Sequence, residues 1–293
     1  MSRLQSLFIN PVLNKEVKLR FRSFKNFLGI FLFLLVCGAV CLAFIYVETQ
    51  FTRNSFTASD SKNLFMLLSM GQLGLIVFIT PGLTAGSISG EREKQTLNIM
   101  LTTQQSSTSI ILSKLFSSLL FLTLMLVASL PFYSIVFLYG GVSPQMVLVV
   151  FGYQLLTMLT IGSIGIMFST LLKKTIVSTI TTYGFMLFLV VGTFILFFLL
   201  MQLIFGASQG QMGPGTNNNF LPYLVLMLNP AAAMLTSFDM NMFVYQFQQL
   251  GIDLPLWIGF TLAYLTLTLV ALFVAISKLR PGTRVKKKEA KKE

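Results

Sequence analysis

The stretch from Phe27 to Val47 reads FLGIFLFLLVCGAVCLAFIYV and contains no charged or amide side chain. A helix rises about 1.5 Å per residue, so a run of this length crosses hydrocarbon about 30 Å thick. A soluble protein would have to bury such a segment on every side. A lipid bilayer accepts it, because only the backbone then needs hydrogen-bond partners and a helix supplies those internally.

The rest of the chain repeats the pattern. Apolar stretches follow at 64–89, 110–139, 146–172, 176–205 and 256–277, which gives six expected transmembrane helices. The composition agrees: of 293 residues, 55% are hydrophobic and only 10% are charged. Mean hydropathy is +0.80. Too few polar side chains exist to cover a water-facing surface. The first span follows a basic segment, is longer than a signal-peptide core and lacks a small-residue cleavage site, so it reads as a retained helix.

The net charge of +12 raises the question of nucleic acid, and the placement of the cations answers it. Arg3, Lys15, Lys18, Arg20, Arg22 and Lys25 precede the first span. Arg92 and Lys94 follow the second, Lys173 and Lys174 the fourth, and the basic tail 278–293 the sixth. The intervening loops carry Arg53 and Lys62, offset by Glu48 and Asp60, and no cation between Ala207 and Pro255. Alternation of this kind is the positive-inside pattern. It predicts a multi-pass protein of a cell membrane, bacterial in type, with both termini in the cytoplasm and no nucleic-acid partner.

Cys37 and Cys41 lie one turn apart within the first span, where a structural disulfide is not expected, and the chain has no histidine. Metal binding is therefore not expected. The nine acidic residues fall outside the predicted membrane cores or at their borders. That leaves no paired carboxylates for an intramembrane enzyme and no charged ring for an ion channel. Gln72, Tyr133, Gln154 and Tyr183 could line a path or join helices. Without intramembrane charge, lipid-like, amphipathic or peptide cargo fits better than an inorganic ion. No Gly-x-x-x-x-Gly-Lys-Ser/Thr motif is present, so the chain has no phosphate-cradling loop of its own.

Two further segments shape the expected architecture. Within residues 1–26, Lys15, Lys18, Arg22 and Lys25 recur at helical spacing, opposite Leu13, Val17, Phe21, Phe24 and Leu28. This pattern predicts an amphipathic helix lying in the interface against membrane lipid, the alternative being a basic flank that only sets topology. Residues 206–255 begin with a Gly- and Asn-rich loop, expected outside. They then hold the short apolar stretch 221–236 with Pro222 and Pro230, which predicts a re-entrant or surface-lying helical segment before the last span.

The most informative loop is 90–109. It opens Gly90-Glu91-Arg92-Glu93-Lys94-Gln95-Thr96-Leu97-Asn98-Ile99-Met100-Leu101-Thr102-Thr103. Four successive charges precede a turn in which Leu97, Met100 and Leu101 share a face, so a small helix could lie under the membrane and present side chains to a partner. Read physically, it could equally be an ordinary polar connection.

Glu91-Arg92-Glu93, Thr96-Leu97 and Leu101-Thr102-Thr103, with Lys114 beyond, resemble the E-x-E-x-G-T-L-E-x-L-L-x-T-P segment and following G-K of type 2 ABC exporter permeases. Asn10-Pro11-Val12-Leu13 with Lys15-Glu16 and Arg20-Phe21-Arg22 resembles the elbow with which many of these permeases begin. Gln95, Gln104 and Ser113 depart from the pattern, standing where Gly, Pro and Gly are common.

The resemblance implies an all-α membrane domain over residues 1–293, with an N-terminal interfacial elbow helix, six transmembrane helices and a cytoplasmic coupling helix. Glu91, Arg92, Glu93, Gln95, Thr96, Leu97, Met100 and Leu101 would form the contact with a separate ABC ATP-binding subunit. A second permease chain, identical or different, would complete the assembly. The chain would be non-catalytic and bind no cofactor, with ATP and Mg held by the ATPase. Mechanical or regulatory work on another protein is the alternative to export.

Overall fold

A computed structural model describes residues 24–51, 56–97, 106–207, 220–238 and 254–279, together with Lys18, Arg22 and Phe247. All regular structure among them is helical. Six segments among the described residues are long and apolar enough to cross a membrane. The first span is α1 (Phe24–Phe51) and the second α2 (Ala58–Thr84). A short helix, α3 (Ser89–Glu93), follows. The third span is built from α4 (Ser107–Ala128) and α5 (Leu130–Tyr139), and the fourth is α6 (Pro144–Leu171). The fifth runs through α7 (Thr175–Leu187), a π turn (Phe188–Gly192) and α8 (Thr193–Ala207). Two short helices, α9 (Leu221–Leu226) and α10 (Pro230–Thr236), precede the sixth span, α11 (Leu256–Leu279).

Helix ends differ from the hydropathy boundaries for identifiable reasons. The second span begins at Ala58, ahead of Leu64, because Thr57 and Asp60 form a capping box. The Thr57 N–H donates to the Asp60 carboxylate at 2.9 Å, and the Asp60 N–H donates back to the Thr57 hydroxyl at 3.4 Å. It ends at Thr84, ahead of Ser89, and Pro81 lies inside α2 without terminating it. The third span breaks at Ser129, with Pro131 in the first turn of α5, where its missing N–H costs nothing.

The fourth span is the centre of the bundle. It packs against α2, α4, α7 and α11. Its most apolar stretch is 61% buried, against 11% for the first span, whose Phe27, Phe31 and Leu35 are free to face lipid. Small residues permit that centrality. A Cβ added to Gly165 would collide with the Thr84 hydroxyl, and one added to Gly162 would meet Leu115 at 3.0 Å. Gly71, Gly74 and Gly86, by contrast, have open space beside them within the chain.

Polar side chains join spans as hydrogen-bonding glue. Tyr133 donates to Gln72 Oε1 at 2.6 Å, Gln72 donates to Ser129 at 2.8 Å, and Gln154 donates to the Ser69 carbonyl at 3.2 Å. Tyr183 donates to the Phe78 carbonyl at 2.9 Å. All four residues flagged for a possible path therefore bond between helices. Thr160 and Thr268 link the fourth and sixth spans at 2.9 Å. In lipid, bonds of this kind contribute about 0.6 to 2 kcal/mol each.

Candidate functional site

The segment 85–97 turns beneath one end of the bundle, and each stage of the turn is stitched to a neighbouring helix. The N–H groups of Ile88 and Ser89, which open α3 and have no intrahelical acceptor, both donate to Ser169 Oγ at 2.9 Å. The Ser178 hydroxyl donates to the Ala85 carbonyl at 2.7 Å. Gly90 lies close to Thr175, whose methyl would be 3.4 Å from an added Cβ.

The charged triplet then divides among three spans. Glu91 pairs with Lys114 at 2.6 Å, near the start of the third span. Both partners are largely removed from water, with side-chain exposures of 22% and 5%. Lys114 is the cation that α4 carries into its apolar face, and Glu91 compensates it. Arg92 donates to the carbonyls of Thr170 at 3.1 Å and Leu172 at 3.3 Å, at the closing end of the fourth span. A guanidinium there satisfies carbonyls that lack intrahelical donors and complements the negative end of the helix dipole.

Glu93 does the reverse at the opening end of the fifth span. Its carboxylate accepts from the Thr175 N–H at 2.9 Å and from the Thr175 hydroxyl at 2.7 Å. Those two bonds, with Lys174 close by, hold its carboxyl below the usual range. It remains ionised at neutral pH and stands where a helix N-terminus favours negative charge.

The segment ends in a left-handed turn. Gln95 has φ 58°, the one positive value recorded for a non-glycine residue among those described. It occupies the position after the α3 cap where an αL residue closes a helix, a place glycine fills at least cost. That geometry explains why the resembled pattern prefers Gly here. Thr96 donates to the Glu91 carbonyl at 3.2 Å, and Leu97 turns inward, 5% exposed, to pack with Ile88, Ile110 and Leu279.

The residues singled out by sequence thus separate into two sets. Glu91, Arg92 and Leu97 anchor the segment to the bundle, and Glu93 reaches across to the fifth span. Lys94, Gln95 and Thr96 face outward. Met100, Leu101 and Lys15 lie outside the described residues, as do most of the elbow segment and the tail from residue 280. Lys18 and Arg22 are exposed and joined by one helical bond, Arg22 N–H to the Lys18 carbonyl at 3.1 Å. Lys25 belongs to α1, its side chain outside the described set. Ser169, Thr175 and Ser178 were not singled out: isolated hydroxyls in apolar helices carry no sequence signal of a partner about eighty residues away.

Among the described residues, no three His, Cys, Asp or Glu side chains converge as metal ligands would. No curated protein is similar enough to this chain to count as a match. The family model described as ABC-2 family transporter protein matches residues 11–284, nearly the whole sequence. Six apolar helices and that match together identify the chain as a multi-pass membrane protein that belongs to the ABC-2 transporter family, a permease subunit of an ABC transporter.

Proposed function

We propose that this permease serves an ATP-driven exporter, forming the translocation path and coupling through residues 89–97 to separate ATP-binding subunits. The observation that carries the proposal is the division of one short loop helix among the third, fourth and fifth spans, with Lys94, Gln95 and Thr96 turned outward. A push on the outward face would pass through Glu91 to α4, through Arg92 to the end of α6 and through Glu93 to the start of α7. Three spans would then move with one input.

In this reading the loop is cytoplasmic and both termini share that side of a bacterial plasma membrane, as the positive-inside pattern favours. Two permease chains work with two ATPase subunits, which hold ATP and Mg. This chain binds neither and hydrolyses nothing. Lys18 and Arg22, exposed ahead of the first span, lie against lipid headgroups.

Gentle purification of the tagged chain from its native host, with mass spectrometry of bound proteins and an ATPase assay, tests the assembly. Stoichiometric recovery of a P-loop ATPase is expected. A clean oligomer without one would contradict the proposal.

A further inference from the structure

The fifth span is not a uniform rod. Between α7 and α8 the chain widens into a π turn, Phe188–Gly192, and the Thr193 N–H reaches back five residues to the Phe188 carbonyl. A π turn leaves a carbonyl without its ordinary helical donor, and such turns are rare in regular helices. Here side chains meet the need. The Thr193 hydroxyl donates to the Leu189 carbonyl at 2.6 Å, and the Asn229 amide donates to the Val190 carbonyl at 2.7 Å.

Asn229 is fully buried and uses its whole amide. Its second N–H donates to Thr193 Oγ1 at 2.9 Å. Its oxygen accepts from the N–H groups of Ala231 at 2.9 Å and Ala232 at 3.1 Å, capping α10. One side chain therefore both starts the second helix of the α9–α10 hairpin and closes the irregular turn of the fifth span. Val190 stands near the midpoint of Thr175–Ala207, so the hairpin meets the fifth span partway along its length.

Packing changes at the same point. Met186, before the turn, and Leu189, within its first half, share a core with Ile161, Ile164 and Ala271 of the fourth and sixth spans. Ser178 and Tyr183 also bond α7 to the Ala85 and Phe78 carbonyls. After it, Phe197 and Met201 belong to a different core with Tyr223, Leu226 and Ala232 of the hairpin. The principal packing partner of α8 is α9. At Gly192 an added Cβ would lie 2.8 Å from the Phe188 ring, so a side chain there would force that ring to shift.

We propose that the fifth span is a jointed lever: 188–192 is the joint, Asn229 is the pin that fastens it to the hairpin, and α8 swings at the joint relative to α7. The proposal does not depend on what drives the motion.

The test is thiol labelling of the full chain in lipid nanodiscs with a water-soluble maleimide, read peptide by peptide so that Cys37 and Cys41 are counted separately. Reporter cysteines are Met201→Cys beyond the joint and Met186→Cys before it. Asn229→Asp removes the two donated bonds and keeps the cap on α10. It should speed labelling at the far reporter about tenfold, the size expected for local opening after a buried bond is lost, and leave the near reporter within about twofold. Thr193→Val should act in the same way, with Thr193→Ser restoring the slow rate, which keeps the test open if Asn229→Asp does not fold. Equal acceleration at both reporters, or none at Met201→Cys, would overturn the proposal.

Discussion

Glu93 and Thr175 are 82 positions apart, yet the carboxylate of one receives both the N–H and the hydroxyl of the other, at 2.9 and 2.7 Å. The contact joins the loop between the second and third spans to the first residue of the fifth. Arg92 meanwhile holds the last carbonyls of the fourth. Adjacent side chains of opposite charge thus clip two consecutive helix ends, each matched to the sign of the end it touches.

Breaking half of this clip should loosen the fifth span locally. Glu93→Ala is expected to raise amide exchange over 174–178 several-fold while the chain still inserts and folds, because the side chain is exposed. Glu93→Gln, whose single amide oxygen can accept only one of the two bonds, should fall between. Hydrogen-exchange mass spectrometry of the nanodisc-embedded protein distinguishes the three forms.

The same bond has a pH dependence of known sign. The Glu93 carboxyl is held below its ordinary value of 4.5 by Thr175 and Lys174, so its contribution is complete above the ordinary value and is lost as pH falls through the lowered one. Protection of the Thr175 amide, corrected for intrinsic exchange, should be flat from about pH 7 to 5 and decline below. Glu93→Gln should abolish that decline.

The Glu91–Lys114 pair is the costliest element to halve. With the ammonium 5% and the carboxylate 22% exposed, Lys114→Met leaves a poorly solvated carboxylate whose Oε2 already lacks a bond. Thermal unfolding in detergent should register a loss of about 3 kcal/mol. The double replacement Lys114→Met with Glu91→Leu should recover most of it, since removing both charges leaves neither stranded.

Gln95 bears a cost that glycine does not. At φ 58°, Gln95→Gly should be neutral or stabilising by up to about 1 kcal/mol, whereas Gln95→Val should destabilise by at least that much. Thermal midpoints of the two variants check the sign.

What could be read from sequence, and what could not, follows from the range of the interactions. Six spans are legible because each apolar run carries its own signal, and the short helical segment before the last span because Pro222 and Pro230 interrupt a stretch too short to cross. The early start of α2 rests on Thr57 and Asp60, a local signal that hydropathy overrides. The π turn has no local signature, since it is completed by Asn229 from another segment. The charges of 91–93 stand out as a motif, but their inward direction depends on Lys114, Thr170, Leu172 and Thr175, which only the fold brings near. Leu97 shares the apolar character of Met100 and Leu101, and burial alone reveals that it anchors the segment.

The central claim is that residues 89–97 carry force between an ATPase and the spans. The direct test is ATP hydrolysis by the reconstituted complex containing wild-type chain or the double charge reversal Glu91→Lys with Glu93→Lys, with membrane insertion and subunit recovery measured in parallel. Loss of permease-dependent stimulation, with insertion intact, is the predicted result. Stimulation unchanged by the reversal would contradict the assignment of this segment as the coupling element.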